Sequence, residues 1–241
     1  MEWLGLLPAK KFKTLPLLDE AVINCKECPR LVNWTREVAV TKRKSYESEK
    51  YWGRPVPGFG PSDARVVIVG LAPGAHGANR TGRIFTGDRS GDWLYKSLHK
   101  NGLAKIPISV SKDDGQELID TRITCAVHCA PPDNKPSNEE QKTCSSFLHE
   151  ELRLLMPTTR SYLVLGSFAW ISFFNALSEM GDSIPKPRPK FAHGAKVKIK
   201  GSDGITRLIV GSYHPSQQNT FTGKLTESML NAAVKSAATF R

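Results

Sequence analysis

No stretch of the chain approaches the ~20 consecutive apolar residues that a membrane helix needs, and residues 1–17 lack the sustained apolar core of a secretion signal. Those absences predict a soluble protein of the cytoplasm. A closed disulfide framework is excluded on parity, because the chain has five cysteines. Internal repeats and low-complexity linkers are missing too, which removes solenoids and tethered arrays. Acid is the scarcer charge. Against 34 Lys+Arg stand only 23 Asp+Glu, a formal net charge of +11. Such an excess favours a polyanion, because each phosphate contact releases counterions. A merely solubilising surface is the plainer alternative.

What is present suffices for a folded core. Hydrophobic residues make up 39% of 241, a length suited to one large domain or two small ones. Residues 65–69 (RVVIV) read as a fully buried strand. Residues 70–88 (GLAPGAHGANRTGRIFTGD) then replace periodicity with glycine-rich loop chemistry. Such a loop brings backbone N–H groups close to a ligand. At the C-terminal end of a parallel strand it lies where open α/β sheets bind ligands.

The rest of the chain alternates in the same way. Residues 15–23 predict a short amphipathic helix, and residues 31–50, with their mixed-charge end TKRKSYESEK, a solvated helix. Residues 51–61 (YWGRPVPGFGP) are too rich in proline and glycine for anything but loop, with Trp52 and Phe59 assigned to the core. A helix covers 91–101 and a strand covers 121–128 (TRITCAVH). Ser137 and Glu140 make a capping box for a helix running to Leu155. A third strand at 162–165 precedes a helix at 168–178. Residues 185–200 carry six Lys/Arg and no acid, and read as a hairpin arm or a mobile basic loop. A fourth strand at 205–211 ends in YHPS, and a last helix covers 225–239. Strand, loop, helix in repetition predicts a parallel sheet with helices on both faces. Three strand ends, GLAPG, TCAVHC and YHPS, then converge on one sheet edge.

Cys25 and Cys28 form C-x2-C, and Cys129 and Cys144 form C-x14-C. Four thiolates suit tetrahedral zinc or a [4Fe–4S] cluster, and spacing alone leaves both open. Cys125, four residues before Cys129, is predicted to point to the same face and to be a non-ligand thiol nearer the active edge.

Three stretches together resemble a known family: residues 70–88, residues 129–134 (CAPPDN) and residues 214–226 (HPSQQNTFTGKLT). They are similar to the family 5, or type b, uracil-DNA glycosylases. The order of Cys25, Cys28, Cys129 and Cys144 resembles the cluster ligands of families 4 and 5. The resemblance implies a three-layer α/β/α sandwich on a central four-stranded parallel sheet, with a [4Fe–4S] cluster loop region and zinc as the weaker choice. It implies one domain over 1–241, residues 1–60 being an N-terminal segment packed on it. It further implies a monofunctional DNA repair glycosylase that hydrolyses the N-glycosidic bond of uracil and other deaminated or damaged bases, leaving an abasic site. The partner would be double-stranded DNA with a flipped base. A monomer is expected, cytoplasmic and associated with a prokaryotic nucleoid, with a sliding clamp open as a protein partner and no membrane.

Roles carry over residue by residue. Phe85 matches the residue that stacks on the flipped base, and His214 the donor to its O2. Leu71 and Ala72 stand where other uracil glycosylases place a water-orienting acid, an absence that marks family 5. Asp88 is the nearest acid in the motif and the candidate for orienting water or stabilising the sugar cation. Gly70, Leu71, Ala72, Gly74, Asn79 and Cys125 complete the base-binding set; His76 and Asn79 are further candidates for the role given to Asp88, the alternative being that each fixes the loop. Cys125 stands where the family has an asparagine that reads the pyrimidine edge. A thiol cannot copy an amide's paired hydrogen bonds, so reduced uracil activity or wider base tolerance is expected. Arg80, Arg83, Ser216, Gln217, Gln218, Asn219, Phe221 and Lys224 are the residues expected to touch DNA, Phe221 or a glutamine filling the gap left by the base. Rival readings are an Fe–S module that binds damaged DNA with little or no cleavage, a redox protein, and a covalent DNA crosslinker of related fold.

Overall fold

The computed structural model describes residues 11–241. The first ten residues of the segment judged to lack a secretion signal, and of the N-terminal segment 1–60, lie outside them.

The chain opens with α1 (Leu15–Ile23) and α2 (Pro29–Thr41), each entered through a proline in its first turn, where no backbone N–H is needed. The expected helix over 31–50 stops at Thr41, because Lys42 turns to φ +53°. Residues 44–46 make one 3-10 turn instead. That turn brings Tyr46 under the Arg80 guanidinium at 3.9 Å, and Glu49 pairs with the same Arg80. The polar stretch is therefore a clamp on the glycine-rich loop.

Next come β1 (Val66–Gly70), the single turn α3 (Ala78–Thr81), α4 (Arg89–Lys100) and β2 (Thr121–Cys125). The capping box holds: Ser137 Oγ accepts from Glu140 N and opens α5 (Asn138–Leu155). β3 (Ser161–Leu165), α6 (Ser167–Glu179), β4 (Lys196–Lys200), β5 (Thr206–Ser212), the short α7 (Gln217–Phe221) and α8 (Glu227–Thr239) complete the order.

The sheet runs β2-β1-β3-β5-β4. Its first four strands are parallel, as expected. β4 adds a fifth, antiparallel edge strand that pairs with β5 from Lys196↔Val210 to Lys200↔Thr206. The basic segment is thus a hairpin arm, and its exposed lysines discourage further strand pairing at that edge. Both faces are covered. Val67 and Val69 belong to a core with α1, α2, α5 and α6. Val66 and Ile68 belong to a second core with α4 and α8. A parallel sheet buried on both faces is the arrangement that continuous apolar strands require. Among the described residues no helix is long and apolar enough to cross a membrane.

Candidate active site and cysteine cavity

The ends of the four parallel strands build the candidate site. Gly70, last in β1, stands beside Cys125, last in β2. Leu165, last in β3, stands beside Ser212 of β5. Gly70 is required by space: a Cβ there would lie 2.9 Å from the Phe85 ring and 3.2 Å from the Cys125 sulfur. Glycine lets the ring and the thiol close on the strand end.

Phe85 is buried at φ +50°, a left-handed conformation costly for a bulky residue. The surroundings hold it there. Tyr95 Oη donates to Ile84 O at 3.3 Å, and Gly87 N donates to Ser109 O at 2.8 Å. A Cβ on Gly91 would lie 1.9 Å from the Phe85 carbonyl oxygen, so the first turn of α4 is open at that point. The ring faces His214 at a centroid distance of 5.5 Å and an interplanar angle of 30°.

His214 follows β5 on the loop to α7. Asn219 Nδ2 donates to the His214 carbonyl at 2.9 Å, and Ser216 caps α7 by accepting from Asn219 N at 3.4 Å. Neither imidazole nitrogen is held by a hydrogen bond among the described residues. Burial pushes the imidazole down to about 4. It is therefore neutral at physiological pH, with an N–H to offer.

Asp88 is the N-cap of α4, its Oδ1 accepting from Gly91 N at 2.9 Å. Its other oxygen presses on the glycine-rich loop. A Cβ on Gly74 would lie 3.0 Å from Oδ2, and one on Gly77 would lie 2.0 Å away. Burial raises the carboxyl above the usual range for an aspartate. Leu71 and Ala72 contribute backbone to the loop floor, Leu71 O accepting from Val127 N at 2.9 Å.

Other expected residues stand elsewhere. Asn79 is fully buried and turned toward α2, donating from Nδ2 to Thr35 O at 3.1 Å. His76 Nδ1 lies 3.1 Å from the Tyr51 hydroxyl. Arg80 and Arg83, expected at phosphates, are buried and turned into the protein. Arg80 is enclosed by Tyr46, Glu49, His76 O and Gly87 O. Arg83 pairs with Asp114 at 2.6 Å in a buried setting. Both hold the loop's shape, because every direction of their guanidinium is spent inside. Gln217 and Gln218 are exposed, as is Phe221 at 67%, with the Arg89 guanidinium 4.3 Å from its ring. Lys224 reaches over Tyr213 at 4.8 Å.

Three contributors were not foreseen: Gly91, the Tyr46–Glu49 clamp and Arg89. Gly91 had a signal. A glycine in a helix costs ~1 kcal/mol against alanine, so one at the start of α4 needs a reason. Trp52 and Phe59 pack half-buried against the α4/α8 core, as expected, and also receive cations: Lys112 over Trp52 at 5.8 Å, Arg83 over Phe59 at 4.9 Å.

A second feature lies beyond the β2 end. Cys25, Cys28, Cys129 and Cys144 border one cavity together with His128 and Phe147. All four are free thiols. Cys125 is not among them. It packs in the α4/α8 core, whereas Cys129 and Cys144 pack in the opposite one. The expectation of a common face fails because β2 ends at Cys125 and the chain turns before Cys129. Among the described residues no three His, Cys, Asp or Glu are gathered closely enough to hold a single metal ion. Burial, reinforced by the neighbouring sulfurs, raises Cys28 to about 11 and Cys129 to about 12, and pushes Cys144 further up. The His128 backbone N–H is directed to Cys144, and His128 Nε2 in the cavity wall has no hydrogen-bond partner.

The sequence model of the uracil DNA glycosylase superfamily matches residues 57–238. The chain is 47% identical to a type-5 uracil-DNA glycosylase of Mycobacterium leprae over 224 residues, 93% of this chain and 94% of that one. It is 47% identical to a type-5 uracil-DNA glycosylase of Thermus thermophilus over 205 residues, 85% and 88% of the two chains. A type-5 uracil-DNA glycosylase of Pyrobaculum aerophilum is 45% identical over 217 residues, 90% and 89%.

Proposed function

The chain belongs to the uracil DNA glycosylase superfamily, and from that premise we propose that it excises uracil, and other deaminated or damaged bases, from double-stranded DNA, leaving an abasic site. The reading is carried by the apposition of Phe85 and His214 at the strand ends. A binding module without cleavage is the weaker reading, because its relatives of 45–47% identity are named as glycosylases.

The target nucleotide must leave the stack, at a cost of a few kcal/mol that is smallest for mispaired bases. Phe85 is the floor on which the base stacks, worth ~1–3 kcal/mol. Gly70, Leu71, Ala72 and Gly74 form the wall, and Cys125 lies at the base edge. As the bond between sugar C1′ and the base nitrogen breaks, its electron pair moves onto the base and gathers at O2. His214, neutral, donates its N–H there. One donor preorganised in this way is worth ~2.7–4 kcal/mol. The sugar is left as an oxocarbenium ion, to which water adds at C1′. Asp88 stabilises that cation or orients the water. Ser216, Gln217, Gln218, Asn219, Phe221 and Lys224 lie on the segment that meets the duplex, Phe221 entering the gap left by the base.

Cys25, Cys28, Cys129 and Cys144 are the residues that would hold a [4Fe–4S] cluster. The fit rests on four thiols around one cavity, which would stay protonated without a cationic centre to take the protons' place. The cluster would supply structure, tying α1 and α2 to α5. We further propose one domain across the chain, acting as a monomer in a nucleoid.

The test uses labelled duplexes carrying uracil, hypoxanthine, xanthine and an adduct. Abasic sites are expected with the native protein and not with His214→Ala. Uracil DNA bound but left intact by the native protein would favour the binding module.

A further inference from the structure

A cavity of ≈ 360 Å³ lies beside the cysteine cavity, bordered by Lys26, Arg36 and Arg54 together with Thr35, Gly53 and Pro55. Lys26 belongs to the C-x2-C turn, Arg36 to α2 and Arg54 to the strap that follows the Arg80 clamp. All three cations are exposed. Among the described residues none of them has a carboxylate partner; Arg54 meets only the Trp52 ring, at 5.7 Å. Among the described residues no acid borders the cavity. Glu27, from the same turn as Lys26, borders the cysteine cavity instead.

The cavity is wired to the active loop. Asn79, in α3, donates from Nδ2 to Thr35 O, and its carbonyl accepts from Gly53 N at 3.1 Å. Trp52 N donates to Arg80 O at 2.9 Å. Thr35 and Gly53, two walls of the cavity, are thus fixed by the loop that carries Gly74 and Asp88. Pro55 borders both this cavity and the cysteine cavity.

We infer that this cavity seats a backbone phosphate of the DNA duplex, flanking the extruded nucleotide and held by Lys26, Arg36 and Arg54. Three cations with no carboxylate partner and no bordering acid among the described residues call for an anion. Among the described residues no aromatic side chain borders the cavity, so a nucleotide would have no face to stack on there, whereas a phosphodiester needs only charge and donors. The site gives the cysteine turn a second task, because the segment that Cys25 and Cys28 fix is the one that presents Lys26. The proposal rests on the glycosylase reading above.

The test compares the full-length protein with a Lys26→Ala, Arg36→Ala, Arg54→Ala variant, both checked for the same visible absorption and Tm. Binding is measured to a uracil duplex made uncleavable by 2′-fluorination of the target nucleotide. The slope of log K against log[salt] should become shallower by about 0.9 for each phosphate that the variant no longer neutralises. In parallel, neutral methylphosphonates are placed one at a time along the duplex. The native protein should lose affinity at one or two positions where the variant loses nothing further. Equal slopes, or the same methylphosphonate profile in both proteins, would overturn the proposal. So would inorganic phosphate that occupies the cavity without displacing the duplex. Failure of the glycosylase reading looks different: the native protein would leave an unfluorinated uracil duplex uncut whatever its affinity.

Discussion

At the scale of single residues, the imidazole of His214 has a folded-state value of about 4 against an ordinary 6.5. Its sign is the depressed case. Between those values the unfolded chain binds the proton and the native chain does not, so stability is complete above about 6.5 and falls as pH drops toward 4. Thermal unfolding between pH 7 and 4 should show that decline, and His214→Asn should flatten it. The same substitution by alanine should lower the single-turnover rate by ~10²–10³-fold, the usual loss for one preorganised donor. Phe85→Ala should weaken handling of the flipped base by ~1–3 kcal/mol, read as kcat/KM on uracil duplexes. Gly77→Ala drives a methyl to 2.0 Å from Asp88 Oδ2. It should displace the Asp88 carboxylate from Gly91 N and cost at least the ~0.5–2 kcal/mol of a missing N-cap, read as a drop in Tm. The partners at this scale were legible from composition in context: HPS after a strand, FTGD before a helix. What escaped was the internal use of Arg80 and Arg83. Their positions in the motif suggested phosphates, but the guanidinium partners Glu49 and Asp114 lie 31 residues away in each case, beyond any local pattern.

Elements with a repeating physical signal were legible to within a few residues. β1 and β3 are continuous apolar runs, and α5 announces itself through Ser137 and Glu140. Ser137→Ala should cost ~1 kcal/mol by removing that cap. Because Cys144 sits on the second turn of α5, the change should also loosen the cysteine cavity, seen as faster exchange of the amides near 138–144. Elements whose reason is tertiary were not readable. Residues 42–50 have helical composition, yet the pull of Arg80 on Tyr46 and Glu49 outweighs a weak local preference. The sequence leaves β4 open between a hairpin arm and a basic loop, because its alternate lysines are solvent-facing. Ile199 is buried there and Val197 packs half-buried against the same core, so two apolar residues seat the edge strand.

Over the whole molecule, one cavity gathers Cys25 and Cys28, at the turn before α2, with Cys129 after β2 and Cys144 in α5, more than a hundred residues further along the chain. Arg122 makes a parallel join, pairing with Asp19 of α1 at 2.7 Å and Glu151 of α5 at 2.5 Å. A buried ion network holds α1 to the sheet, and the proposed cluster would be a second join. Removing one should expose how much the other bears. With the proposed cluster as the centre, Cys144→Ser or iron chelation would free Cys25 and Cys28, while Arg122 still fixes α1. The expected result is loss of visible absorption and a lowered Tm, with new proteolytic cleavage confined to the 24–36 segment and an intact sheet. Uracil excision should fall chiefly through weaker duplex affinity, because Lys26 and Arg36 move with that segment while Phe85 and His214 stay on the strand ends. A variant whose affinity holds but whose excision rate at saturating duplex collapses would instead place the sulfur cavity in the chemistry itself.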